Sequence, residues 1–163
     1  MKTLYVIRHA KSSWDQPELS DSERPLNKRG QRDAPGMGER LFKAGIRPDI
    51  LISSPARRAM DTALLIADEL KFPQSRIRKV EKLYFGGIRG MLDVVRDMDD
   101  SYSSVMLFSH NPTIEGFLDQ VTGGFYEHAP TCAVAGIQFS VDQWKEIGQG
   151  QLLFFDYPKK NKA

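Results

Sequence analysis

The 163-residue sequence is short of several things, and each shortage excludes a class of protein. A single cysteine, Cys132, permits no intrachain disulfide, so the fold does not rest on an oxidising compartment and a cytoplasmic location is expected. No apolar run approaches the roughly 18 residues that span a bilayer. The apolar stretch Leu4 to Ile7 gives way to charge too soon for a secretion signal. Neither sign of charge dominates: 23 Lys+Arg against 21 Asp+Glu leave a formal +2, too little for a nucleic-acid or membrane surface. Histidine is scarce too, with three residues and no HxxH or HxxxH spacing, which argues against a metal centre built from His9, His110 and His128. No cofactor is expected.

What is present is an ordinary globular composition, 40% hydrophobic and 27% charged, in a length that suits one domain over residues 1–163 with a flexible, solvated tail at 158–163. Strands are predicted at Thr3 to Ile7, Asp49 to Ser53, Arg76 to Val80, Val105 to Ser109, Cys132 to Ser140 and Gln151 to Phe155. Helices are predicted between them. Asn27 caps one running from Lys28 to Ala44, with a kink expected at Pro35 and Gly36. Ser54 caps a second, with Pro55 at its first position and a core-facing stripe of Ala59, Ala63, Ile66, Ala67 and Leu70. Others cover Ile88 to Met98 and Pro112 to Val121, with a short helical piece at Gln143 to Ile147. This alternation predicts a three-layer α/β/α sandwich around a mostly parallel, mixed sheet.

Sheets of that kind bind ligands beyond the carboxyl ends of their strands. Arg8 and His9 follow the first strand, the Ser53 to Arg58 segment follows the second, and Ser109 and His110 end a later one. Taken singly, each has a plain reading: a satisfied histidine, a solvated helix arginine, a helix cap. Brought to one edge, two guanidinium groups and two imidazoles make a pocket for a small dianion such as phosphate, because arginine offers forked donors to pairs of oxygens. Arginines also disfavour the imidazolium and keep a nitrogen lone pair available. A neutral histidine beside a bound phosphoryl group is a nucleophile.

The runs LYVIRHAKS, SSPARRAMDTA and LFSHNPTIE, with ERPLNKRG at 23–30 and PTCA at 130–133, resemble the histidine phosphatase superfamily and its small, SixA-like phosphohistidine phosphatase branch. The resemblance implies a phosphoglycerate mutase-like fold and catalytic roles for Arg8, His9, Arg58 and His110. His9 would take the phosphoryl group, and the motif selects Arg58 over Arg57. Ala10 departs from the glycine usual in the superfamily, as the small branch does. No segment closely matches the glutamate acid of larger members; Glu81 is the nearest candidate along the chain.

Arg24 and Asn111 are secondary substrate-binding candidates. Arg24 either closes over the phosphate or pairs with Asp21 or Glu23, and Asn111 either contacts substrate or orders the turn after His110. His128 reads as a loop residue. The implied activity is metal-independent dephosphorylation of a phosphorylated histidine-containing protein, such as a phosphotransfer domain, through a phosphohistidine intermediate. Its alternatives are a small-molecule phosphomonoester phosphatase, a mutase, and a non-catalytic phosphoprotein-binding module. A mutase would need a lid that excludes water, and no insertion suggests one.

Overall fold

The computed structural model describes residues 1–160. Along the chain run β1 (Lys2–Arg8), α1 (Lys28–Lys43), β2 (Ile50–Ser53), α2 (Arg57–Glu69), β3 (Arg78–Lys79), α3 (Lys82–Phe85), α4 (Gly87–Arg96), β4 (Ser104–Ser109), α5 (Thr113–Thr122), β5 (Val134–Phe139) and β6 (Gln151–Asp156). The sheet order is β3-β2-β4-β1-β5-β6. β3, β2, β4 and β1 pair in parallel, while β5 joins β1, and β6 joins β5, in antiparallel fashion. The fold is therefore the mixed α/β sandwich expected.

The order of the strands dictates where the helices go. Crossovers β1–α1–β2 and β2–α2–β3 step one way across the sheet and β3–α4–β4 steps back. Right-handed connection then puts α1 and α2 on one face and α4, followed by α5, on the other. The packing agrees, since α1 lies on α2 and α4 on α5. Because both faces are covered, the inner strands are apolar on both sides: Leu4, Val6, Ile7, Leu51, Ile52, Val105, Met106, Leu107 and Phe108 are all fully buried. Each such aliphatic or aromatic side chain contributes about 1.5–3 kcal/mol.

Several boundaries differ from the sequence reading, each for a local reason. α2 begins at Arg57 because Ala56 is extended (φ −56°, ψ 136°), and the Ser54 hydroxyl accepts from the Ala56 N–H (3.2 Å) without capping the helix. Pro35 lies inside α1 without ending it; the carbonyl its ring leaves unpaired belongs to Gln31, which is exposed. β5 begins at Val134, two residues later than expected, since Cys132 adopts φ 64° in a turn closed by the Ala133 N–H to the Pro130 carbonyl (3.0 Å). The short α3 was not anticipated. Of the expected 158–163 tail, residues 158–160 form a turn behind Tyr157, whose carbonyl accepts from Arg40 (2.9 Å); the other three lie outside the described residues.

The loop from residue 10 to 27 is closed at its base by backbone bonds from Ser13 N–H to the Pro25 carbonyl (2.8 Å) and from Asn27 N–H to the Lys11 carbonyl (3.0 Å). Asn27 also caps α1, accepting from the Gly30 N–H (2.9 Å). A side chain at Gly30 would place its Cβ 2.2 Å from the Lys11 carbonyl oxygen, so only glycine lets the helix start approach this loop.

Candidate active site

β1 and β4 are neighbours in register, Arg8 opposite Ser109, and their outgoing connections leave for opposite faces of the sheet. That is the switch point where open α/β sheets leave a crevice. Arg8, His9 and His110 stand at its floor because both strands stop there.

The backbone at His9 is held from two sides. Its N–H donates to the Ser109 carbonyl (3.1 Å), and the Cys132 N–H reaches the carbonyls of both Arg8 and His9 (3.1 Å each). His9 Nδ1 donates to the Ala10 carbonyl (2.7 Å), which fixes the tautomer and leaves the lone pair on Nε2. The Ala10 N–H donates to Thr62 Oγ1 (2.9 Å), and the Thr62 hydroxyl donates to the Arg58 carbonyl (2.7 Å), tying this turn to the start of α2. Among the described residues, positive φ outside glycine is confined to Lys71 and Cys132, so position 10 does not require a glycine.

Arg58 is 6% exposed and points to the same crevice, whereas Arg57, one position round the helix, is exposed and pairs with Asp61 (3.5 Å). Each pocket arginine is anchored at one end only. Arg8 Nη1 donates to the Ala129 carbonyl (3.0 Å), and Arg58 donates through Nη1 to the Asp21 carbonyl (2.8 Å) and through Nη2 to the Asp21 carboxylate (3.0 Å). The Nε atoms of both arginines, and Nδ1 of His110, are buried with no hydrogen-bond partner. Orphaned buried polar atoms are costly, and three from different elements in one crevice, two of them arginine donors, mark a place for acceptor oxygens.

His110 lies with its ring centroid 5.1 Å from that of His9, and its Nε2 is 2.8 Å from Ser54 Oγ. Burial is the main cause that lowers His9 to a pKa of about 3, with His110, Arg58 and Arg8 adding to it and the Ala10 hydrogen bond opposing. Burial likewise leads in lowering His110 to about 4, followed by the Arg58 charge, while Asp21 opposes. Desolvation thus outweighs the arginines that the sequence reading held responsible. Both rings are neutral at pH 7.

The other candidates fall outside this group. Arg24 is buried and pairs with Asp21 (3.2 Å), donates to Ser12 Oγ (2.7 Å) and covers the Trp14 ring (3.6 Å to the centroid). Asn111 orders the turn after His110, donating to Glu115 (2.6 Å) and to the Ala129 carbonyl (2.9 Å). His128 is exposed and pairs with Glu115 (3.0 Å). Glu81 borders a separate cavity with Arg78, Lys82 and Asp93. Two residues were missed: Asp21, which bridges Arg24 and Arg58, and Tyr84, whose hydroxyl donates to Asp21 and whose ring lies 5.3 Å from His110. Asp21 entered the sequence reading only as a partner for Arg24.

Residues 4–95 match the histidine phosphatase superfamily (branch 1). An uncharacterized chloroplastic protein of Arabidopsis thaliana is 27% identical over 153 residues, covering 89% of this chain and 70% of that one. A phosphoglycerate mutase of Candida albicans is 34% identical over 95 residues, 55% of this chain but only 38% of the mutase. In structure, the protein histidine phosphatase SixA complexed with tungstate superposes with a TM-score of 0.85 at 23% identity, over 98% of this chain and 99% of that one.

Proposed function

We propose that this chain, which belongs to the histidine phosphatase superfamily, is a metal-independent phosphatase that removes the phosphoryl group from phosphohistidine on a protein. The observation that carries the reading is the set of partnerless buried atoms, Arg8 Nε, Arg58 Nε and His110 Nδ1, gathered beside a histidine whose Nε2 lone pair is free. Phosphoryl oxygens bound there meet two fixed positive charges, which offset the charge that builds on those oxygens during transfer.

In the reaction so assigned, His9 Nε2 attacks phosphorus, the bond to the substrate's leaving atom breaks, and that atom keeps the electron pair. Nδ1 retains its proton against the Ala10 carbonyl, so the ring becomes a phosphoimidazolium stabilised by that bond. Water then attacks phosphorus, the P–N bond breaks, and the pair returns to Nε2. Arg8, Arg58 and His110 serve both steps.

No helix is long and apolar enough to cross a membrane, among the described residues, and the proposed location is the cytoplasm. The proposed partner is a phosphotransfer domain or similar protein, presenting its phosphohistidine to the crevice at the carboxyl ends of β1 and β4. The mutase relative favours a small phosphoester as the second reading, and the two are separated by substrate. Phosphate release is measured from a phosphohistidine protein, an aryl phosphate and a sugar phosphate, with and without a chelator and vanadate. The proposal expects the phosphohistidine protein to be the best substrate, no effect of the chelator, competitive inhibition by vanadate, and an acid-labile phosphoenzyme lost in His9→Ala. A sugar phosphate turned over best, or activity lost in chelator and restored by a divalent ion, overturns it.

A further inference from the structure

At the outer end of Arg58 the structure holds a carboxylate where a phosphoester hydrolase would want a carboxylic acid. His9, 7% exposed, forms the floor of the crevice, so a group departing in line from His9 Nε2 moves outward to the mouth. Asp21, its side chain 52% exposed, grips the outer end of Arg58 (3.0 Å), with Arg24 and the Tyr84 hydroxyl as its other partners. The Tyr84 hydroxyl and the Arg58 and Arg24 guanidinium groups lower its pKa to about 2. It has no proton to give an alkoxide. Beside it lies a cavity of about 270 Å³ walled by Trp14, Pro17, Leu19 and Arg24. Arg24 covers the Trp14 ring, which is still 71% exposed.

We infer that Asp21 is the specificity-determining residue of this site: the long contacts from Arg24 to its Oδ1 (3.2 and 3.4 Å) give way, and the carboxylate accepts the free ring N–H of the substrate's imidazole in the adjoining cavity and so selects phosphohistidine over phosphoesters. The inference rests on the proposed phosphatase reading. Its chemistry mirrors what His9 already shows. Phosphohistidine leaves as neutral imidazole only if its other ring nitrogen carries a proton. The Ala10 carbonyl holds that proton on His9 (2.7 Å), and Asp21 holds its counterpart on the substrate. The phosphoryl group then passes between two imidazoles in matched states: the P–N bond to the substrate breaks, its pair stays on that nitrogen, and no proton crosses to or from Asp21. A phosphoester gains nothing from Asp21, because its leaving oxygen departs with negative charge toward a carboxylate. The Trp14 wall suits a flat heteroaromatic ring.

The test compares kcat/KM for a phosphohistidine peptide and 4-nitrophenyl phosphate in the wild-type protein, Asp21→Asn and Asp21→Glu. Disturbing Arg58 alone would slow both substrates together, so the ratio is the readout. Asp21→Asn is expected to lower the phosphohistidine to aryl phosphate ratio tenfold or more, and Asp21→Glu, which keeps the charge, to lower it less. Because an opposite charge favours the protonated ring, the alkaline limb of the phosphohistidine kcat profile is also expected to move down by about one pH unit in Asp21→Asn. An unchanged ratio with an unmoved limb overturns the inference and leaves the phosphatase reading standing. A wild-type protein that cleaves the aryl phosphate but not phosphohistidine overturns the substrate reading itself.

Discussion

Replacing Arg58 by alanine tests whether the crevice is a charge-stabilising pocket, with Arg57→Ala as the internal control. Arg58 is buried, anchored by Asp21 at its outer end, and left with a partnerless Nε facing the crevice. At an effective dielectric of about 20, one positive charge about 4 Å from a phosphoryl oxygen is worth ~4 kcal/mol. Loss of one preorganised charge-stabilising group costs about 10²- to 10³-fold in kcat, or ~2.7–4 kcal/mol, so the two scales agree. Arg57 is 58% exposed and paired with Asp61 across 3.5 Å, a surface pair worth about 0–1 kcal/mol of stability and nothing to the pocket.

A second signature follows from the histidines. Arg58 is the leading charge that lowers His110, and it also lowers His9, so its removal lets both pKa values rise from about 4 and about 3. The proposed nucleophile is lost below its pKa, and the acid limb of the rate profile is therefore expected to move to higher pH. Steady-state kcat on an aryl phosphate from pH 3 to 8, with histidine titration by NMR, reads both effects. Equal losses from Arg57→Ala and Arg58→Ala, or a limb that does not move, would refute the assignment.

Three further outcomes are expected. His9 and His110 are held neutral in the folded protein but take up protons near pH 6.5 when unfolded, so they have no effect on stability above that pH and destabilise below it. Each costs about 1.4 kcal/mol per pH unit down to its folded-state pKa. Urea unfolding at pH 7 and pH 5 checks this, and His9→Asn should remove part of the slope. Gly30→Ala forces a Cβ against the Lys11 carbonyl oxygen at 2.2 Å. A cost of about 1–3 kcal/mol, typical of overpacking, is expected in thermal or urea denaturation, with a larger fractional loss of kcat than of fold as the 10–27 loop shifts. Cys132 is buried, and burial pushes its thiol up to about 12. Iodoacetamide should leave it unmodified in the native protein at pH 8 and alkylate it in urea; rapid labelling of the folded protein would contradict the burial.

The strand ends carried most of what could be read beforehand. Apolar runs that stop abruptly at Arg8–His9 and Ser109–His110 signal inner strands of a two-sided sheet, because burial on both faces leaves no polar position until the strand ends. The motif around Arg58 distinguished two adjacent arginines that composition could not. Helix boundaries were less legible where side chains answered to distant partners. Ser54 looks like a cap in sequence, but its hydroxyl lies against His110, more than fifty residues on. Cys132 reads as strand, yet its N–H is taken by the Arg8 and His9 carbonyls, and the strand starts after the turn this requires.

Local sequence therefore determined most of the elements, the floor of the crevice and the residue types gathered there, since periodicity and strand termination are short-range properties of the chain. Tertiary structure alone decided the mouth. Asp21, Arg58 and Tyr84 come from a loop, α2 and α3 and share no spacing that a sequence pattern could register. It also decided the protonation of the histidines: burial beneath three converging elements lowers His9 and His110 more than the neighbouring charges do, and burial is a property of the assembled fold.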